Sequence, residues 1–148
     1  MNIFIAGGGQ VGFHLARLLS AENHNVTVIE RDPNQVEHID YSLDVSTAAG
    51  RAEDVMMLKS LDAGSADLFI AATGDDDVNL IAATTAKVLV VFFFNATVTD
   101  PIYTESDILY ETIMGIDYIV STQALTAHEI VNYIERPGML AMESFGSG

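Results

Sequence analysis

Short apolar runs alternate with amphipathic stretches from one end of the chain to the other. Residues 2–6, "NIFIA", form an uncharged run of strand length. Over residues 10–22, Leu15, Leu18 and Leu19 recur at helical spacing and predict a helix with one apolar face. A second strand is predicted over 25–30, "NVTVIE", which is rich in β-branched residues. Asp32 and Pro33 then supply an N-cap and an N1 proline, with Gln35 at N3 completing a capping box, for a helix to residue 41. A weak third strand is expected over 44–48, and a helix over 52–61. "DLFIAAT", residues 67–73, predicts a fourth strand, followed by an alanine-rich helix over 77–89. The uncharged stretch "VLVVFFFNATV" at 88–98 predicts a fifth strand in its second half. Asp100 and Pro101 start a helix to residue 114, "DYIV" at 117–120 is a sixth strand, and Ser121 caps a last helix to residue 135.

Strand and helix alternate throughout, and right-handed crossovers between parallel strands are the economical way to join them. The expected fold is α/β: a Rossmann-like, doubly wound, parallel six-stranded sheet with helices on both faces. No repeat or linker interrupts the pattern. One domain is expected over 1–136, including the last helix at 122–135, with 137–148 a C-terminal tail or truncation point.

Composition narrows the possible partners. The chain has 148 residues, 49% hydrophobic and 18% charged, which is globular composition. Its 21 acids against 6 bases give a net charge of −15, a surface that repels nucleic acid and anionic membranes. Zero cysteines remove disulfides and thiolate metal sites. Neither a signal peptide nor a membrane-length apolar run is visible, so the expectation is a soluble, cytoplasmic protein without direct membrane insertion.

The candidate chemistry begins at "IAGGGQVG", residues 5–12. Gly7, Gly9 and Gly12 make G-x-G-x-x-G between a predicted strand and a predicted helix, the setting in which this motif holds a pyrophosphate. Gly7 permits the turn, Gly9 lets the backbone approach the phosphates, and Gly12 lets the helix lie close to the strand. Gly8 adds backbone freedom to the turn. Gln10 and Val11 open the helix, whose N–H groups and partial positive charge face the anion. Glu30 follows roughly 20 residues further on, at the end of the second strand, where a carboxylate accepts ribose hydroxyls and repels a 2′-phosphate. Arg31 beside it is able to hold a phosphate, which pulls the other way. Thr73 and Gly74, after the fourth strand, are placed to line the same cleft across the sheet's switch point. Asp75, Asp76 and Asp77 read either as charges favoured at a helix N-terminus or as a hard-cation site.

Together these residues resemble the N-terminal lobe of the RCK (KTN, TrkA-N) family of cytosolic regulatory subunits of potassium transporters and channels. "IAGGGQVG", "VIERD", the T-x-x-D-[DE]-x-N pattern of Thr73 to Asn79, "DPIYTES" and "GIDYIVSTQALTAHEIVNYI" carry the resemblance across nearly the whole chain. "IERPGML" points to the TrkA type. The resemblance implies NAD(H) or ADP/ATP as a ligand that is not turned over. It places residues Gly7 to Gly12 on the phosphates, Glu30 on the ribose, Arg31 beside the adenosine, and Thr73 with Gly74 near the ligand's far half. It also implies a homo-oligomer, a dimer or larger, through the last helix, and a membrane potassium transporter subunit as partner. Two positions depart from the family: Arg51 stands where relatives often carry an acid on the adenine side, and Thr97 stands where they usually carry a base for the phosphates. The "FFF" at 92–94 is also unlike the family and suggests burial in the sheet.

No catalytic set accompanies the glycine turn. His14, His24, His38 and His128 are scattered, without partners at triad or ligand spacing. The reading is therefore a regulatory nucleotide-binding module that is not an enzyme. Its rivals are the cofactor half of an NAD-dependent oxidoreductase and an assembly module with impaired ligand binding.

Overall fold

A computed structural model describes residues 1–89, 93–105, 107–121 and residue 132. Its elements are β1 (Asn2–Ala6), α1 (Gln10–Ala21), β2 (Asn25–Glu30), α2 (Pro33–Ser42), β3 (Ser46–Ala49), α3 (Val55–Ser60), β4 (Leu68–Ala71), α4 (Asp76–Val88), β5 (Phe93–Val98), α5 (Pro101–Thr104), α6 (Asp107–Met114) and β6 (Tyr118–Ser121). The six strands form one sheet in the order β3-β2-β1-β4-β5-β6. Every neighbouring pair is parallel, with Ile5 opposite Val28 on one side and Ile70 on the other. The order reverses between β1 and β4, which opens a crevice beyond the C-terminal ends of those strands.

Period-two alternation sends successive residues of each strand to opposite faces. Ile3 and Ile5 of β1 join Val26, Val28 and Ile70 under Leu15, Ala16 and Leu19 of α1 and Ile39 of α2. Phe4 and Ala6 join Ile29, Phe69 and Ala96 under Leu58 of α3 and Leu80, Ala82, Ala83 and Ala86 of α4. Helices thus cover both faces, as the doubly wound pattern requires. Alanines along α4 bring that helix close to the sheet.

Several boundaries shift for local reasons. Asp54, not Ala52, begins the third helix, because its side chain accepts the Met56 N–H at 2.9 Å. The helix expected over 101–114 is described as two stretches, α5 ending at Thr104 and α6 beginning at Asp107. A 3-10 turn at Ala63–Ser65, entered through Asp62 at φ 55°, has no counterpart in the sequence reading. The capping box of α2 is half made. Asp32 accepts the Asn34 N–H at 2.9 Å, while its own N–H goes to Glu30 Oε1 at 3.0 Å rather than to Gln35. Phe93 and Phe94 lie in β5 opposite Leu68 and Phe69. Phe92, the helix expected over 122–135 apart from residue 132, and the tail from 137 fall outside the described residues.

Candidate functional site

The glycine turn bridges β1 and α1 at the crevice. Gly7 donates its N–H to Ile29 O at 2.8 Å and adopts φ +103°, a conformation that side chains oppose. A Cβ on Gly7 would also lie 2.6 Å from the Ala72 carbonyl oxygen, so the chain just after β4 closes over it. A Cβ on Gly12 would fall onto the Gly7 carbonyl oxygen, so α1 approaches the turn as closely as the motif requires. Gly8 differs from expectation. Its φ is not in the left-handed region, and a Cβ there would meet the Ile39 Cδ1 methyl of α2, which would have to shift. Around Gly9 the space is open, with nothing within 4 Å of a Cβ.

Gly9 is also the N-cap of α1, and it brings no side chain to the first-turn N–H groups of Gln10, Val11 and Gly12. The other helices with a described N-cap differ. Asp32, Asp54, Asp75 and Asp100 each place a carboxylate on the first turn of α2, α3, α4 and α5. Among the α-helices with a described N-cap, the one that follows the glycine turn is thus left without a capping side chain, as an external anion would require.

At the end of β2 the Glu30 carboxylate is held in place by the backbone. Its Oε2 accepts the Gly8 N–H at 2.6 Å, and its Oε1 accepts the Asp32 N–H at 3.0 Å. Each oxygen keeps further lone pairs free to accept hydrogen bonds. The Gly50 N–H donates to the Glu30 carbonyl at 3.0 Å and carries the β2–β3 ladder to the rim of the crevice.

These elements enclose a cleft of about 390 Å³, within the range of small-molecule sites. One wall comes from β2 and the turn after β3: Glu30, Arg31, Arg51 and Glu53 are its polar residues, with Ile29, Gly50 and Ala52 between them. Gly7 forms the floor, and Thr73, Gly74, Asp75 and Val78 form the far wall. Two of the chain's six bases, Arg31 and Arg51, line this one cleft. Arg51 is turned toward Glu53, its Nε and Nη2 reaching Glu53 Oε1 at 2.7 and 2.6 Å.

The far wall is fixed by Asn79, which is 1% exposed. Its Oδ1 accepts the Thr73 N–H at 2.7 Å and the Thr73 hydroxyl at 2.6 Å. Its Nδ2 donates to the carbonyls of Thr73 and Thr97 at 3.1 and 2.8 Å. Thr97 is itself buried, and it meets Asn79 rather than the cleft. A change at position 97 therefore reaches the site through Asn79.

The three aspartates after Gly74 take three separate structural parts. Asp75 caps α4 through the N–H groups of Asp77 and Val78. Asp76 accepts the Thr99 and Asp100 N–H groups, both at 2.8 Å, and so ties α4 to the turn before α5. Asp77 takes the Tyr103 hydroxyl at 2.5 Å, and with Asp76 nearby this pushes the phenol pKa up to about 12. Among the described residues no cluster of three or more His, Asp or Glu is arranged to hold a metal ion.

A sequence profile of the TrkA-N domain matches residues 3–122. The chain belongs to the TrkA-N domain family. This TrkA-N domain is 36% identical over its full length to a Trk system potassium uptake protein TrkA homolog of Archaeoglobus fulgidus, and spans about a third, 34%, of that relative. In fold it resembles the GsuK channel bound to NAD, at TM-score 0.69 and 24% identity over 80% of this chain and 21% of the other. It also resembles GsuK bound to ADP, at TM-score 0.68 and 24% identity over 81% of this chain and 31% of the other. Among the described residues no helix is long and apolar enough to cross a membrane.

Of the residues singled out in the sequence, Gly7, Glu30, Arg31, Arg51, Thr73 and Gly74 line the cleft together. Gly8, Gly9, Gln10, Val11 and Gly12 form the turn and helix start that border it. The sequence reading passed over Glu53 and Asn79 as site residues. Glu53 lacked a signal, being one acid among 21. Asn79 had one, as the last residue of the T-x-x-D-[DE]-x-N pattern, and it is the residue that orients Thr73.

Proposed function

We propose that this domain is a regulatory nucleotide sensor. It takes NAD(H), or ADP/ATP, by the adenosine and diphosphate and does not turn the ligand over. The bound state then biases a membrane potassium transporter or channel on the cytoplasmic side, through a homo-oligomer assembled by the segment 122–135. The observation that carries the reading is the pairing of an uncapped α1 N-terminus at Gly9 with the backbone-held carboxylate of Glu30 across one cleft. An anion fits the first and a ribose diol the second. Support also comes from the potassium-uptake relative and from the NAD-bound and ADP-bound GsuK structures of the same fold.

The residues present suit such a ligand. Backbone N–H groups at Gly9 to Gly12 would hold the diphosphate, Glu30 would orient the ribose, and the wall of Ile29, Ala52 and Arg51 would receive the base. Thr73 and Gly74 would meet the far half. A switch requires only that two conformations of the assembly bind the ligand with different affinities.

Purified protein titrated with NAD+, NADH, ADP and ATP, read by thermal shift and calorimetry, tests the reading. A ligand at ~100 times its Kd adds ~2.7 kcal/mol of stability. Stabilisation by at least one of the four supports the sensor. Failure of all four, with oligomers still formed, would leave a module of assembly alone.

A further inference from the structure

The chain has no cysteine, so its oxidisable sulfur is thioether alone. Two of its six methionines stand side by side on α3, the helix that follows the turn after β3. Met56 is 67% exposed. Met57 is partly buried and packs on the core cluster that holds Ala52, Leu58 and Ala63. A Cβ built on Gly50 would lie 2.9 Å from Met57 Sδ and 2.8 Å from its Cε, so the thioether rests against the Gly50 backbone. We propose that Met57 is a modification site, oxidised to the sulfoxide by hydrogen peroxide, through which oxidation displaces the β3 wall of the cleft. Resting on the nucleotide reading above, that displacement weakens ligand binding.

Gly50 links this sulfur to the cleft. It lines the cleft together with Arg51 and Ala52, and its N–H donates to the Glu30 carbonyl at 3.0 Å. Glu30 in turn holds the Gly8 N–H through its carboxylate at 2.6 Å. A shift at Gly50 therefore reaches the wall that would receive the base and the strand end that would hold the ribose. Gly50 has no side chain to give way, so an atom added to the sulfur presses on the backbone itself.

The chemistry is an oxygen transfer to sulfur. The Met57 sulfur attacks one peroxide oxygen, an S–O bond forms and the O–O bond breaks. The proton on the transferred oxygen passes to the departing hydroxide, which leaves as water. Sulfur loses an electron pair and the peroxide gains it. The product turns a flexible apolar side chain into a polar one with an acceptor oxygen. The Gly50 N–H beside it is already given to Glu30, and the cluster beneath it is apolar. A buried acceptor without a donor is costly, so the sulfoxide leaves its place and Gly50 loses its support.

Treatment of the wild type, M56L and M57L with hydrogen peroxide tests the proposal, with oxidation at each methionine scored by peptide mass spectrometry. Leucine keeps the apolar volume and removes the sulfur. Hydrogen exchange at the Gly50 amide, followed by NMR, and calorimetric titration with ADP and NAD+ are compared before and after treatment. Oxidation at Met57 should speed Gly50 exchange about fivefold or more, and weaken nucleotide binding by a similar factor, in the wild type and in M56L. M57L, still oxidised at Met56, should keep both values. Met57 left intact while Met56 reacts, Gly50 exchange or nucleotide affinity unchanged by oxidation at Met57, or equal changes in M57L would overturn the role of Met57. If the untreated protein binds neither nucleotide while Gly50 exchange responds as expected, the nucleotide reading fails and the oxidation site stands.

Discussion

The Glu30 carboxylate accepts the Gly8 N–H at 2.6 Å across a separation of 22 residues. This contact ties the end of β2 to the glycine turn and sets the carboxylate at a fixed place relative to the N-terminus of α1. Replacing Glu30 by alanine removes an acceptor from Gly8 and Asp32 as well as from a ribose. Glu30→Ala is expected to weaken NAD+ and ADP binding about tenfold or more, since hydrogen bonds to a charged group contribute ~1.5–3 kcal/mol. In Glu30→Ser the gap between NADH and NADPH should narrow, because Arg31 then faces a 2′-phosphate without an opposing carboxylate. Calorimetry on the two variants checks both statements.

Gly9 and Gly12 should separate binding from folding. A Cβ at Gly9 meets nothing within 4 Å, so Gly9→Ala should keep its thermal midpoint and lose nucleotide affinity. A Cβ at Gly12 runs into the Gly7 carbonyl, so Gly12→Ala should lose ~1–3 kcal/mol in urea unfolding before any ligand is added. Equal stability loss in the two variants would contradict this division.

Asn79 is a buried side chain whose amide is bonded at both ends. Asn79→Ala strands the Thr73 N–H and the Thr97 carbonyl, and should cost ~2–4 kcal/mol. Asn79→Asp keeps the acceptor for Thr73 but sets an anion against two carbonyl oxygens, so it should also destabilise. Denaturant unfolding of both variants measures the cost.

Tyr103 provides a pH dependence. Its hydrogen bond to Asp77 pushes the phenol from its ordinary value of 10.0 up to about 12. Below pH 10 the phenol is protonated in folded and unfolded chains alike, and the bond contributes in full. Between pH 10 and 12 the unfolded chain releases its proton first, so that contribution is lost as the pH rises. Difference titration of tyrosinate absorbance between the wild type and Tyr103→Phe should place the missing step near 12, after the step of an ordinary phenol. A missing step near 10 would place the hydroxyl away from Asp77.

How far the sequence could be read follows from the range of the interactions involved. β1, β2, α1 and the N-caps Asp32 and Asp100 were legible because hydrophobic period, proline position and capping are set within a few residues. The G-x-G-x-x-G turn and Glu30 were legible for a related reason: one local conformation and one strand end place them. The end of α5 at Thr104 was not legible because the apolar pattern runs on past it to Met114.

The amino-acid order by itself thus determined the alternation of strands and helices, the glycine turn after β1 and the carboxylate at the end of β2. Only the tertiary structure decided that Gly8 lies against Ile39, that Arg51 leans on Glu53, that Thr97 is buried against Asn79, and that three consecutive aspartates serve three different partners. Most of those contacts join residues far apart in the chain. They exist because the parallel crossovers bring the C-terminal ends of β1, β2, β4 and β5 together, and no local pattern encodes which side chains meet there.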